Sequence, residues 1–324
     1  MEKTPLLLPK IIKGKILENY AEFLHLFIEF QSGLLSNLYR RYQSLESGHI
    51  VLYFARKAHQ EILRQKDYDL NSDISFEKFW QNHSKIKIKH TSIIRIAEDT
   101  TLPKETARRK ILELVKQSVL NKENKNIGWF PNEIYKKNYN IVIDNEIAQM
   151  SKLIKFICKK INLSISTEEI IKEIKENFSF YWFHYLGVEL EYLNTWNKKL
   201  NDLELLLIAL QCNSMLAVKV KKNQVSHQQL HADPFLIKNF EDASISATSI
   251  SEITGIPRAT CIRKLEQLVK LNAIKRDNIS KKYYVIPEFF SKNLDLKQTT
   301  DKVITIFSDY FFIFIRAFYK RVSF

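Results

Sequence analysis

One phrase in this 324-residue chain occurs twice, as "LPKETARRKILELVKQ" from Leu102 and as "IPRATCIRKLEQLVKL" from Ile256. No other feature limits the fold as strongly, because a repeat of this length implies two copies of one supersecondary unit. Residues 103–116 and 257–270 share 7 of 14 positions, where average usage gives about one match. Four further pairs are conservative: Lys104/Arg258, Ala107/Cys261, Ile111/Leu265 and Glu113/Gln267.

The likeness extends outward. Upstream, "IRIAEDTTLP" and "TSISEITGIP" each read as a short helix with an acidic residue, Glu98 or Glu252, a tight turn and a proline. Downstream, "NKENKNIGWFP" and "KRDNISKKYYVIP" place β-favouring residues around a polar tip, which is a hairpin signal. An aromatic-rich helix and a second helix precede each unit. An apolar helix follows each, over 147–161 and 303–319. The spacing therefore predicts two repeats, 1–163 and 164–324, with a junction near 161–167. The helix–turn–helix and hairpin fall at about 85–137 and 247–292. The inserts 67–88 and 222–246 show no clear period.

Composition supports helices and narrows the chemistry. Only 6 residues are glycine, against roughly 20 at average usage. No GxGxxG or GxxxxGK[ST] loop is present to cradle a phosphate. The net charge is +14, and its placement says more than its size. Residues 85–137 carry 13 Lys/Arg against 6 Asp/Glu, and residues 247–292 carry 9 against 4. Together these windows hold +12 of the +14 in under a third of the chain. Basic charge concentrated around the repeated phrase points to a polyanion. Cys158, Cys212 and Cys261 lie far apart in apolar surroundings and read as buried free thiols of a reducing cytoplasm. No segment offers eighteen uninterrupted apolar residues, so no membrane partner is expected.

A helix begun at Pro257 buries positions 261, 265, 268 and 269 as one stripe and turns Arg258, Ala259, Ile262 and Arg263 outward. In the first copy the stripe is Ala107, Ile111, Leu114 and Val115, with Lys104, Glu105, Arg108 and Arg109 outside. Proline in the first helical turn costs little, since its missing N–H had no intrahelical partner. "SISEITGIPRATCIRKLEQLVKLNAIKR" resembles the helix-turn-helix and first wing strand of winged helix-turn-helix transcription regulators. Gly255, Pro257, Arg258, Thr260, Arg263, Leu265 and Leu268 carry the likeness. Leu102, Pro103, Lys104, Thr106, Arg109, Ile111 and Leu114 carry it in the first copy, with Thr101 where the turn glycine stands in the second. The long flanking helices are similar in plan to MarR-type regulators.

The resemblance implies a mainly α fold with small β-hairpin wings. Two tandem winged helix-turn-helix repeats would be joined by long helices as an intramolecular pseudo-dimer. It also implies major-groove recognition by residues 103–117 and 257–271, through Lys104, Glu105, Thr106, Arg108 and Arg109, and through Arg258, Ala259, Thr260, Ile262 and Arg263. Arginine can read guanine bidentately, and lysines and helix N-termini hold phosphates. The wings offer Lys122 and Lys125, then Arg276, Lys281 and Lys282. Glu105 and Arg108 become Ala259 and Ile262, so the two half-sites are expected to be unequal.

The expected protein is a cytoplasmic, nucleoid-associated regulator of double-stranded DNA, a monomer with an internal pseudo-two-fold, although a homodimer stays open. The effector, if there is one, is not specified; the aromatic block "FSFYWFHY" reads first as core and second as a pocket lining. A plasmid-type replication initiator and a winged-helix interaction scaffold are the alternatives. No Ser/His/Asp, Cys/His or paired-carboxylate set points to an enzyme, and no cofactor is expected. His227 and His231 with Asp233 have a spacing that suits a metal but lack a convincing third ligand.

Overall fold

Two helix breaks recur 158 residues apart and organise the chain. Asn19 and Asn177 each end a 10-residue helix and open a 23-residue one, with nearly the same backbone angles (φ −115°, ψ 33° and φ −118°, ψ 39°). At the far ends Gln43 and Asn201 both take the left-handed conformation. Ser44 and Asp202 then cap the next helices by accepting from the Ser47 and Leu205 amides. Each such cap stabilises its helix by about 1 kcal/mol.

The computed structural model describes residues 8–86, 91–124, 126–226, 228–229, 240–286 and 294–322. In these the chain is mainly helical, with two small antiparallel sheets. The first half runs α1 (Pro9–Glu18), α2 (Tyr20–Tyr42), α3 (Leu45–Tyr68), α4 (Phe79–His83), α5 (Ile93–Thr100), α6 (Lys104–Lys116), β1 (Leu120–Glu123), β2 (Asn126–Trp129) and α7 (Glu133–Lys160). The second runs α8 (Thr167–Glu176), α9 (Phe178–Leu200), α10 (Leu203–Lys222), a 3-10 turn (Phe240–Ala243), α11 (Ala247–Thr254), α12 (Arg258–Lys270), β3 (Ile274–Arg276), β4 (Tyr283–Val285) and α13 (Leu294–Val322). In each half a single bridge, Thr91 to Ile127 or Ile245 to Tyr283, adds a third short extended segment beside the hairpin.

The expected helices over 147–161 and 303–319 are longer than their apolar runs. Asn132 accepts from the Tyr135 amide and starts α7 at Glu133, ahead of its apolar part. The insert after α3 also holds structure, the short α4, whose Phe79 is fully buried.

The compact units differ from the contiguous halves 1–163 and 164–324. Unit 1 is built from Met1–Gln43, Lys152–Ser164 and Asp202–Phe312; unit 2 from Ser44–Ser151, Ile165–Asn201 and Ile313–Phe324. Within unit 1, α2 packs on α10 and α11, while α12 and β4 pack on α10. Within unit 2, α9 packs on α3, which also carries α5, α6 and β2. Each helix–turn–helix is thus completed by a long helix from the other half. In unit 1 the reason lies in α10, where Leu203, Leu205, Leu206, Leu207, Ile208 and Leu210 are all buried. A helix apolar on several sides needs more than one covering partner. By length and composition α10 could cross a membrane, but most of that span is buried in unit 1.

The aromatic block of α9 is core: Phe178, Tyr181, Trp182 and Tyr185 are almost wholly buried. The three cysteines are buried and free. Burial pushes the Cys158 and Cys212 thiols up to about 12 and that of Cys261 up to about 11, which leaves them protonated and unreactive.

Candidate nucleic-acid interface

In unit 2, Ser92 caps α5 by accepting from the Arg95 amide, and Thr101 ends the helix with φ 53°. The chain turns through Leu102 and Pro103 into α6. Ala107, Ile111 and Leu114 are buried beneath α6, and Val115 is half-buried. Lys104, Glu105, Arg108 and Arg109 are exposed; Thr106 is half-buried. Glu105 and Arg108 form a two-pronged ion pair, Nε to Oε2 at 2.8 Å and Nη2 to Oε1 at 2.6 Å. The hydrogen bonds hold the Glu105 carboxyl below its ordinary range and raise Arg108. Arg109 makes no ion pair among the described residues.

Unit 1 repeats the geometry with different letters. Ser246 caps α11, and Gly255 ends it at φ 80°. Beneath α12, Cys261, Leu265 and Leu268 are buried, with Val269 half-buried. Arg258, Ala259 and Arg263 are exposed and Thr260 is half-buried. Ile262 is also half-buried, so it turns outward less than its position in the repeat suggests. Arg258 leans back and donates from Nε to Thr248 Oγ1 (3.1 Å). Arg263, like Arg109, has no ion pair among the described residues.

The hairpins divide the wing candidates. Lys122 is exposed on β1, opposite Ile127, while Lys125 lies outside the described residues. In unit 1, Arg276 is drawn back toward α12, 3.9 Å from Glu266 and over the Tyr283 ring. Lys281 and Lys282 stay exposed on a loop that Asp277 organises: its carboxylate accepts from the Ser280 amide, and its own N–H donates to the Lys282 carbonyl. The His227, His231 and Asp233 group lies outside the described residues.

Three functional placements escape the repeat pattern. Lys264, shared with Lys110, is only 6% exposed and ion-paired with Asp202 and Glu204 at the start of α10. It anchors α12 instead of facing outward. The turns are held by the long helix from the other half. In unit 1, Arg40 of α2 donates from Nη2 to the Glu252 and Ile253 carbonyls (2.7 and 2.9 Å). In unit 2, Asn194 and Asn197 of α9 donate to the Asp99 and Thr101 carbonyls (3.0 and 2.8 Å). Lys110, the counterpart of Lys264, pairs instead with Glu113 on its own helix, so the shared lysine gave no signal of an anchor, and nothing local linked α2 or α9 to these turns. No family model matches the chain, no curated protein matches its sequence, and no solved structure matches it.

Proposed function

We propose that the chain is a sequence-specific double-stranded DNA-binding protein, a transcription regulator with two winged helix-turn-helix readers. One observation carries the reading. In each unit the second helix buries its apolar stripe, while its first turns present an exposed arginine, Arg109 or Arg263, that forms no ion pair among the described residues. Beside it runs a hairpin with open lysines, Lys122 in one unit and Lys281 and Lys282 in the other. An open arginine near the N-terminus of a solvent-facing helix suits a guanine edge, and the helix N-terminus suits a phosphate.

The two readers are held in one chain, so binding of the first raises the effective concentration of the second, as in a dimer. The half-sites are unequal in this reading. Glu105 and Arg108 offer a charged fork where Ala259 and Ile262 offer a small apolar surface suited to a thymine methyl.

Arg109→Ala together with Arg263→Ala, measured by retention on duplex DNA, tests the proposal. Each loss should cost about 1–3 kcal/mol, a weakening of roughly five- to 150-fold per site. Unchanged retention would instead favour an interaction scaffold. Footprinting of a selected site should show an asymmetric target; a strict palindrome counts against unequal half-sites.

A further inference from the structure

The helices that close the two turns also end in matching charge. At the 158-residue offset, α2 (Tyr20–Tyr42) and α9 (Phe178–Leu200) have diverged almost completely; Leu35/Leu193 is their single identity. Their only positions charged with the same sign are Arg40/Lys198 and Arg41/Lys199. Cations in a last helical turn complement the helix dipole, which by itself places them nowhere in particular. Here the placement is specific. Lys198 follows Asn194 by four residues and so shares its face, and Asn194 and Asn197 are bonded to the backbone of the turn that leads into α6. Lys198 and Lys199 are exposed, and Lys198 has no ion pair among the described residues. In unit 1, Arg40 uses Nη2 alone on the Glu252 and Ile253 carbonyls. A guanidinium has five N–H donors, so the exposed Arg40 keeps others for a second acceptor.

We infer that Arg40 at the end of α2 and Lys198 at the end of α9 are a further DNA-phosphate contact in each unit, supplied by the half of the chain that does not carry that unit's reader helix. The inference rests on the DNA-binding reading above. A turn that delivers its second helix N-terminus first into a major groove lies near the flanking backbone, and cations seated on that turn meet phosphate oxygens. Such contacts carry no sequence information. They add affinity and salt dependence equally on all sequences.

The test uses the full chain and a random-sequence duplex, with affinity measured across a salt series. Lys198→Ala should make the plot of log affinity against log salt shallower by about 0.9, the slope carried by one phosphate contact. Lys172→Ala, which removes an exposed lysine from α8 in the same unit, should leave the slope unchanged. Far-UV circular dichroism checks that the variants fold; if Lys198→Ala does not, Lys198→Gln takes its place. An unchanged slope in Lys198→Ala, with binding still lost in Arg109→Ala/Arg263→Ala, overturns this inference and leaves the DNA reading standing. Loss of neither overturns both. An equal drop in Lys172→Ala also overturns the inference, since net charge alone would then explain the effect.

Discussion

Units 1 and 2 use one plan with different materials, and the contrast separates what the plan needs from what each copy adds. Both bury three positions under the second helix of the helix–turn–helix and hold the turn from a long helix of the other half. Unit 1 closes its turn with Gly255 and one guanidinium; unit 2 closes it with Thr101 and two carboxamides. Unit 1 leaves a groove of about 400 Å³ beside α2 and α10, lined in part by Gln211 and Ser214. At the corresponding positions unit 2 has Tyr53 and Arg56, and Arg56 lies over the Phe183 ring and donates to its carbonyl. Unit 2 also rests its hairpin on an aromatic floor. Trp129 packs against Phe79, Trp80, His83 and Tyr139, where unit 1 has Val285 in place of Trp129. The backbone plan and core stripe are common property; the turn chemistry, groove and floor are individual.

Acid should divide the units most. His49, His59 and His83 are buried in unit 2, whereas His25 of unit 1 is half-buried. Burial pushes His49 down to about 3 and His83 down to about 4, while burial and the neighbouring His83 hold His59 well below its ordinary value. These rings are neutral in the folded protein but gain a proton on unfolding once the pH falls below about 6.5. Stability is therefore complete above that pH and is lost progressively down toward the folded values. By pH 5, His49 and His83 should each have removed about 2 kcal/mol, and His59 adds in the same direction. All four tryptophans, Trp80, Trp129, Trp182 and Trp196, belong to unit 2, so their fluorescence reports it selectively. The urea midpoint followed by fluorescence should fall clearly between pH 7 and pH 5. A midpoint that holds steady would mean these rings already carry protons in the fold.

The aromatic floor gives a somewhat smaller effect. Trp129→Ala should cost about 3–5 kcal/mol, because it removes a fully buried indole from a cluster too rigid to collapse around the space. Val285→Ala removes far less volume and should cost at most about half as much. Equal losses, by urea denaturation followed by circular dichroism, would show that both hairpins rest on equivalent cores.

Much of this was readable from the residues, and the parts that were not have a common cause. The buried stripes at 107, 111, 114 and 261, 265, 268 follow from helical period, and the hairpins from β-favouring residues around polar tips. Periodicity reports which face of an element is covered and is silent on what covers it. That is why α2 and α9 read as members of their own halves, although each packs with elements of the other half of the chain. The same limit hid Lys264, which in sequence looks like any basic residue of a helix and is identified as an anchor only by Asp202, 62 residues away. It also hid α4, because five residues are too few to show a period. Among the interface candidates, exposure could be read from the repeat for nearly all positions. Pairing could be read only where it is local, as for Glu105 and Arg108.

The smallest and most discriminating effects concern the two turn closures. Gly255 is left-handed, and a Cβ there would lie 2.8 Å from Arg40 Cγ. Gly255→Ala should therefore cost about 1–2 kcal/mol from the backbone conformation, with Arg40 also displaced from its two carbonyls. Thr101 already bears the left-handed cost with a side chain attached, so Thr101→Gly relieves strain and gives up its hydroxyl bonds to Asn194 and Asn197 (both 3.3 Å). Those bonds are long and each is worth about 0.5–1.5 kcal/mol, so the substitution should be nearly neutral. Asn197→Ala, by contrast, strips the donor from the Thr101 carbonyl and should cost about 1 kcal/mol. Urea midpoints by circular dichroism rank the three variants. A neutral Asn197→Ala, with Gly255→Ala still costly and Thr101→Gly stabilising, would mean that the turns are closed by backbone preference alone and owe nothing to the helices that reach them from the opposite half.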